Sequence, residues 1–296
     1  MKQSNIKRYL KKALVIFLLL PHLAWAWNWV GHQLVAQIAY DQLTLKEKVF
    51  WNDRIDAIRT IYPNENFIRS ATLLDELKKR GITTYSTWHF INWPVFLTNT
   101  DFDKNHIDPI NPHNIIWAIK RAIEIEKVDY YATAFKKGFY ASVLIHLMAD
   151  VHQPLHCATL YSTHFPHGDK GGNLFFIKDP QFHNLHAYWD AGAGYLNWRL
   201  VYAKKKSKNH FNALENTAKM LEKKYPRTYF GKKIQQQDPE IWARESNAMA
   251  KKYVYILPEH SVPSSAYQKK TQEITQEQIA LAGYRLGEIL KSLIIK

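Results

Sequence analysis

The chain has 296 residues, of which 46% are hydrophobic and 14% aromatic, so it can bury a sizeable core in one compact domain. Its 40 lysines and arginines against 26 acidic residues give a net charge of +14. Five of the basic residues and none of the acidic ones lie in the first 26 residues, and the +9 that remains (35 against 26) favours a polyanionic substrate, although an anionic membrane or surface solvation would explain the charge as well. The single cysteine, Cys157, excludes an intramolecular disulfide.

The first 26 residues have the three parts of a secretory signal peptide. A basic start is followed by an apolar run at 13–20 and by the cleavage-site sequence Ala24-Trp-Ala26. The apolar run is shorter than the ~20 residues that cross a bilayer, which disfavours a retained anchor. We therefore predict cleavage after Ala26, one mature domain over 27–296, and a secreted or periplasmic location.

The first part of the mature chain predicts three helices and then an extended segment. Apolar residues at helical spacing indicate a helix over 30–43. The capping-box sequence Thr44-Leu-Lys-Glu47 starts a second helix that ends near residue 62, and a third is predicted over 65–80. The β-branched and aromatic residues of 83–94 indicate a short strand or a loop wall.

Two helices are predicted in the centre of the chain. Asn111-Pro112 caps one that ends near residue 127, and Asp129 caps the next, which ends near Gln153 before a proline. The glycine-containing segment 161–184 is predicted to be irregular, with a hairpin around 173–177.

The C-terminal part predicts helices over 186–204, 209–224 and 240–257. After a polar connector at 258–273, the sequence Thr275-Gln-Glu-Gln278 caps a final helix. No internal repeat or domain boundary interrupts this pattern. The predicted fold is therefore all-α, a single compact and mainly helical domain with long loops and at most a short hairpin.

The central helix carries the first candidate site. His146 and Asp150 are four residues apart and project from one helical face, and His186 and Asp190 repeat that spacing. A proline two residues before His156 ends the helix and brings this histidine back across its end. One His-x3-Asp pair alone is more often a capped or salt-bridged pair than a metal site. Two such pairs with His156 predict zinc, which binds imidazole nitrogen and carboxylate oxygen.

Two other places hold residues that can bind a metal. Cleavage after Ala26 would give Trp27 a free α-amino group, which forms a five-membered chelate with its own carbonyl oxygen, and His32 lies one helical turn further on. Asp75 on the third predicted helix and His89 on the extended segment form the second place.

These motifs resemble the S-one/P-one type of zinc-dependent single-strand nucleases, whose fold is related to that of the zinc-dependent phospholipases C. The resemblance covers nearly the whole mature chain and implies an all-α fold with three zinc ions. The motifs that carry it are Trp27-x4-His32, Asp75-x13-His89-Phe90, His146-x3-Asp150-x5-His156, Gly171-Gly-Asn173 and Asn184-Leu-His186-x3-Asp190.

The resemblance also implies how the ligands divide among the ions. Asp150 would bridge the first two ions, and the third would keep open positions for water or substrate oxygen. The implied sets are Asp75, His89, His146 and Asp150 for the first ion; the amino nitrogen and carbonyl oxygen of Trp27 with His32 and Asp150 for the second; and His156, His186 and Asp190 for the third.

Five residues are implied to act on the substrate. Phe90 would stack on a base and Asn173 would contact it, while Asp75 would orient the attacking water. Asn92 stands where many family members have an aspartate, and Lys78 where they have an arginine, so the base preference and the contact to phosphate depart from the family pattern. Lys78 would still neutralise charge on the phosphoryl oxygens.

The function implied by the resemblance is that of a secreted, monomeric endonuclease and 3′-nucleotidase with no stable membrane association. It would hydrolyse single-stranded DNA and RNA to 5′-phosphorylated products with a zinc-activated water. One alternative is a zinc-dependent phospholipase C, but the short Trp27-x4-His32 spacing and the aspartate at Asp190, where a glutamate is expected, favour a nuclease. The other is a non-catalytic zinc-stabilised binding protein, although structural zinc sites are normally closed and rich in cysteine.

Overall fold

The computed structural model describes residues 27–63, 65–97, 107–128, 131–197 and 210–294. Within these ranges the chain is mainly helical and forms a single compact domain, which confirms the predicted fold class. The predicted signal peptide lies outside them. None of the helices described here combines the length and hydropathy needed to cross a membrane.

Within these ranges, eleven α-helices follow one another along the chain. They are α1 (Trp29–Asp41), α2 (Leu45–Asp56), α3 (Phe67–Ser70), α4 (Leu73–Lys79), α5 (Ile115–Lys127), α6 (Ala134–Asp150), α7 (Leu185–Asp190), α8 (His210–Lys224), α9 (Arg227–Phe230), α10 (Pro239–Met249) and α11 (Ser265–Leu293). Shorter helical segments are the 3-10 turns Ser86–His89, Pro154–Cys157 and Gly231–Gln235 and the π-helical turn Ala250–Val254.

Two short strands join the segments that carry His89 and His156. Strands β1 (Pro94–Val95) and β2 (Thr159–Leu160) are parallel, with Pro94 opposite Thr159. The amide of Ile91 also donates to the carbonyl oxygen of His156 at 2.8 Å. These bonds hold the two histidine-bearing segments side by side.

The main core is built around α6, which packs against α1, α2, α5 and α11. Every residue from 141 to 151 is buried, so the end of this helix lies inside the molecule. Helices α1 and α11 approach closely at Gly283, where a Cβ atom would lie 2.6 Å from the side chain of Ile38. The helix that carries His146 and Asp150 is therefore fixed on several sides.

A second core cluster supports the segment between β2 and α7. Its buried members include Leu155, Phe175, Tyr188 and Tyr255. Because this cluster packs beneath the loop that precedes α7, it fixes a segment with little regular structure of its own.

The predicted helix over 65–80 is wrong, because it is divided into α3 and α4. The hydroxyl groups of Ser70 and Thr72 donate to the carbonyl oxygens of Phe67 and Arg69, which competes with the helical pattern of bonds. The second predicted helix is also too long, since α2 ends at Asp56 and turns follow it.

Two predictions of extended structure are only partly right. Residues 86–89 form a 3-10 turn, and the chain becomes extended at Phe90, with φ −149° and ψ 166°. The predicted hairpin at 173–177 reduces to one antiparallel bridge, which joins Phe176 to Asn184.

The central helices begin at other caps than those predicted. The side chain of Asn114 caps α5 instead of Asn111, and Thr133 caps α6. Both are short polar side chains whose oxygen accepts a hydrogen bond from an amide of the first turn. Asp129, the predicted cap of α6, lies outside the described residues.

Three helix boundaries predicted in the C-terminal part are wrong: the ends of α7 and α10 and the start of α11. Helix α7 stops at Asp190 rather than near 204, because Gly192 follows it with φ +54°. The part of that predicted helix beyond 197 lies outside the described residues. Helix α10 ends at Met249 and continues as a π-helical turn.

The third error concerns α11, which begins at Ser265 and includes most of the predicted connector. Ser264 is the cap, since its side chain accepts from the amide of Tyr267. Thr275 and Gln278 are buried inside the helix rather than at its start. The polar residues of 265–273 are its solvated face, with Tyr267 and Thr271 turned inward.

Candidate active site

The end of α6 places His146 and Asp150 at the centre of the candidate site. Both residues are fully buried, and His146 Nε2 lies 3.2 Å from Asp150 Oδ2. Their i, i+4 spacing on one helical face brings the ring and the carboxylate together without any contribution from a loop.

Helix α1 supplies His32 to this pair. Its Nε2 atom lies 3.3 Å from Asp150 Oδ1, and its ring stacks on that of His146 with 4.2 Å between centroids. His32, His146 and Asp150 therefore form one group of buried side chains whose ligand atoms are close enough to hold a metal ion.

Asp75 from α4 and His89 from the 3-10 turn complete a second group with His146. His89 Nδ1 lies 3.0 Å from Asp150 Oδ2 and 3.9 Å from Asp75 Oδ1. The carboxylate of Asp150 therefore turns Oδ1 toward His32 and Oδ2 toward His89 and His146.

A third group consists of His156, His186 and Asp190. His156 lies on the 3-10 turn after α6, and α7 carries the other two, with His186 Nε2 3.2 Å from Asp190 Oδ2. Asn184 caps α7 by accepting from the amide of Ala187 at 2.8 Å. The short helix thus begins at a fixed point, and its two candidate ligands lie one turn apart.

Backbone carbonyl groups fix the orientation of three of the histidines. A carbonyl oxygen only accepts, so each Nδ1 carries the proton and donates it, which leaves Nε2 for a cation. The bonds run from His146 to Ala71 (2.7 Å), from His156 to His89 (2.6 Å) and from His186 to Gly171 (2.6 Å). No motif in the sequence indicates these carbonyl partners.

Many polar atoms of the three groups are buried without a hydrogen-bond partner. Each such atom costs about 1–3 kcal/mol, and proteins contain few of them. A cation bound in these groups would satisfy the atoms that face it, but not Nε2 of His89, whose Nδ1 is the nitrogen next to Asp150, nor both nitrogens of His32 at once. Nitrogen and oxygen ligands of this kind suit zinc. The buried atoms without a hydrogen-bond partner are Nδ1 and Nε2 of His32, Oδ2 of Asp75, Nε2 of His89, Oδ1 of Asp150, Nε2 of His156, Nε2 of His186 and Oδ2 of Asp190.

The electrostatics of the site agree with this fit. Burial, reinforced by the charge of His146, lowers the pKa of His32 to about 3. Burial, reinforced by the charge of His156, also lowers the pKa of His186 to about 3. Both rings are therefore neutral and keep a lone pair for a metal. Burial raises the pKa of Asp190 well above its usual range, so this carboxyl needs a cation nearby to stay ionised.

His146 differs from the other two rings. Burial would lower its pKa, but the charge and hydrogen bond of Asp150, with the charge of Asp75, outweigh burial and raise the pKa to about 9. Without a cation, the proton on this ring balances part of the carboxylate charge. A metal ion would take over that role.

Trp27 lies next to the site but outside the three side-chain groups. The residue is fully buried, and the amide of Asn28 donates to the carbonyl oxygen of Asp190 at 2.9 Å. Its side chain covers Gly31, where a Cβ atom would lie 2.6 Å from Cβ of Trp27. Its predicted ligation through the amino group depends on cleavage after Ala26, which lies outside the described residues, and stays a prediction.

The predicted substrate residues are divided between two places. Phe90 and Asn92 line a cavity of about 270 Å³ together with Asp108, Asn111 and Tyr161. Phe90 is half-buried and belongs to neither core cluster, so its ring is available to a ligand.

Asn173 and Lys78 lie apart from this cavity. Asn173 donates its side-chain amide to the carbonyl oxygen of Lys170 at 2.7 Å and does not line the cavity. Lys78 is half-buried at the third group, where its charge lowers the pKa of His186, although less than burial does. Burial raises the pKa of Asp190 and the charge of Lys78 lowers it, so the ammonium group lies within electrostatic range of the third group.

Sequence reasoning missed Asp169, which fixes the glycine-rich loop before α7. Its Oδ1 atom accepts from the amide of Leu160 at 2.8 Å, from the hydroxyl of Tyr255 at 3.1 Å and from that of Thr159 at 3.2 Å. The fixed loop places the carbonyl oxygen of Gly171 within hydrogen-bond distance of His186 Nδ1. An aspartate among glycines was the only signal in the sequence, and it is also typical of an ordinary turn.

Comparisons with known proteins agree with this arrangement. Endonuclease 5 of Arabidopsis thaliana is 28% identical over 200 residues, which is 60% of this chain and 60% of that protein. Nuclease S1 of Aspergillus oryzae is 27% identical over 305 aligned positions, covering 91% of this chain and 92% of that protein. The profile of the S1/P1 nuclease family matches residues 27–294, and the chain therefore belongs to that family.

Proposed function

We propose that this protein is a secreted zinc-dependent nuclease that hydrolyses phosphodiester bonds of single-stranded DNA and RNA and also acts as a 3′-nucleotidase. The main support is the cluster of buried histidine and aspartate atoms without partners, which lies beside an aromatic-lined cavity. Membership of a nuclease family whose members are in general zinc-dependent supports the same conclusion.

Three zinc ions would be divided among the nine candidate ligands. The two differently directed oxygens of Asp150 support a bridge between the first two ions. When bound, zinc supplies a water of lowered pKa and charge stabilisation at phosphorus. The sets are Asp75, His89, His146 and Asp150; Trp27, His32 and Asp150; and His156, His186 and Asp190.

The chain itself would position the reactants. Asp75 has a buried Oδ2 without a hydrogen-bond partner, 4.0 Å from His32 Nε2, and this oxygen can accept a hydrogen bond from the attacking water. Lys78 at the third group would balance charge on the phosphoryl oxygens. The products would carry a 5′-phosphate, because the 3′ oxygen departs.

The cavity next to His89 would select unpaired bases. A base stacked on Phe90 would gain about 1–3 kcal/mol, and stacking on one ring requires that the base has left its duplex. Asn92 lines the same cavity, and its amide offers both a donor and an acceptor to a base edge. Recognition is thus expected to favour single strands without requiring one sequence.

Secretion is part of the same proposal. Removal of residues 1–26 would expose the amino group of Trp27, which as an internal peptide nitrogen could not bind zinc. Export and completion of the metal site would then be one event.

The decisive test measures acid-soluble nucleotides released from single-stranded DNA and RNA by the secreted protein. Activity should disappear with a chelator, return with zinc and be much weaker on duplex DNA. Mass spectrometry should find 5′-phosphates on the products. Zinc-loaded protein that cleaves phospholipids and leaves oligonucleotides intact would refute the proposal in favour of the phospholipase alternative.

A further inference from the structure

Gln153 is a buried residue that contacts the third group, and it has no assigned role. It follows the end of α6 and is fully buried. Its Nε2 atom donates to Asp190 Oδ1 at 2.6 Å, and its Oε1 atom accepts from the amide of Leu155 at 2.5 Å. The orientation of the amide is fixed, because a carboxylate needs the donor and a backbone amide needs the acceptor.

The two hydrogen bonds act on two different candidate ligands. The bond to Asp190 occupies Oδ1 and leaves Oδ2, which has no partner and lies 3.2 Å from His186 Nε2. The bond from Leu155 caps the 3-10 turn that carries His156. One side chain therefore fixes a carboxylate from α7 and the turn that brings a histidine to it.

We infer that Gln153 is the positioning residue of the third metal group. It holds Asp190 so that only Oδ2 faces the cation, and it fixes the turn that presents His156. This inference rests on the proposed function, since it supposes that the group binds zinc. Removing a group that hydrogen-bonds to a metal ligand typically weakens metal binding by about 10–100-fold.

The test replaces Gln153 by Met, which has a similar length but has no hydrogen-bond donor and only a weakly accepting sulfur. Chelator competition should show one of three zinc ions bound about 10–100-fold more weakly, with the other two unchanged. In protein loaded with cobalt, the visible absorption bands that change should be those lost in His186→Ala. That spectrum identifies the site independently of catalysis.

The matched control is Gln37→Met. Gln37 is also buried and donates to a carboxylate, Asp41 Oδ1, at 2.9 Å, but it lies on α1 away from the third group. This variant should lose similar stability and keep the wild-type affinity for all three ions. A loss of zinc in both variants would overturn the inference, because it would reflect general loosening of the fold.

A second variant covers the case in which Gln153→Met does not fold. Gln153→Asn keeps the amide but is one methylene shorter, so it cannot reach both partners, and it should also weaken one zinc site. Wild-type affinity and an unchanged cobalt spectrum in either variant would overturn the inference. Fewer than three zinc ions in the wild-type protein would instead count against the proposed function.

Discussion

At the scale of single residues, replacing Phe90 should affect the hydrolysis of nucleic acid more than that of other phosphodiesters. Phe90→Ala should lower kcat/KM for oligonucleotides by roughly 5- to 150-fold, because about 1–3 kcal/mol of base stacking is lost. Zinc content and turnover of bis(p-nitrophenyl) phosphate should change little. Steady-state kinetics on both substrates measure the difference.

A suitable control for this change is Phe135→Ala. Phe135 is 37% exposed at the start of α6, at the opposite end of the helix from the candidate ligands. Neither substrate should be affected by that variant. Equal losses on both substrates in Phe90→Ala, together with a large drop in melting temperature, would show that Phe90 supports the fold instead.

Asp150 is proposed to hold two of the zinc ions. Asp150→Ala should lose two of three zinc ions, because the carboxylate turns one oxygen to each side. Elemental analysis after zinc loading measures the stoichiometry. Asp53→Ala, which removes an exposed carboxylate on α2, should keep all three. Retention of three ions by Asp150→Ala would refute the bridge.

At the scale of elements, the start of α1 makes the site sensitive to the new N-terminus. A Met added before Trp27 should severely reduce both activity and zinc content, because an amide nitrogen replaces the amine. Trimming that Met from the same protein should restore both. The N-terminal ligand would be refuted by an extended protein with full zinc content and full activity.

Arg285 ties α11 to α10 and to the segment after α6. It is fully buried, and its Nη1 donates to Glu245 Oε2 at 2.7 Å and to His152 Nε2 at 3.0 Å. Arg285→Met should cost about 1–3 kcal/mol in unfolding free energy, because the buried Nε2 of His152 loses its donor, whereas the carboxylate of Glu245 is 33% exposed and can be solvated by water. Urea denaturation of zinc-loaded protein measures the loss.

The exposed pair of Arg244 and Glu240 gives the matched comparison. It has the same charges at 2.5 Å, but the arginine side chain is 65% exposed. Arg244→Met should cost no more than about 1 kcal/mol, since solvent screens a surface pair. Similar small losses in both variants would mean that Arg285 does not hold these helices together.

At the scale of the whole molecule, the proposed zinc ions would take the place of disulfides. The chain has one cysteine, and it is buried. Removing zinc should lower the melting temperature strongly, because a ligand at 1,000 times its Kd contributes about 4 kcal/mol per site. Magnesium should not restore stability, since it prefers six oxygen ligands. Calorimetry with and without chelator tests this, and equal melting temperatures would contradict it.

Local features of the sequence anticipated two of the close pairs in the candidate site. The pairs His146 with Asp150 and His186 with Asp190 follow from the period of a helix, which a four-residue spacing already contains. The boundary errors have two different physical causes. Ser70 and Thr72 break a helix through side-chain bonds, and Thr275 is buried by neighbours that are distant in the sequence. The first effect is local but leaves the apolar period of the segment unchanged, and the second depends on the tertiary structure.

The sequence by itself determined the mainly helical fold class and the order of the candidate ligands, because period, caps and residue chemistry are local properties. Only the tertiary structure decided which ligands meet. His32 and His89 reach Asp150 because α1, α4 and the segment after α4 pack around the end of α6. The carbonyl oxygen of Ala71 orients His146, and Gln153 reaches Asp190, across chain separations of 75 and 37 residues. Such distances depend on how the whole core packs, and no spacing in the sequence encodes them.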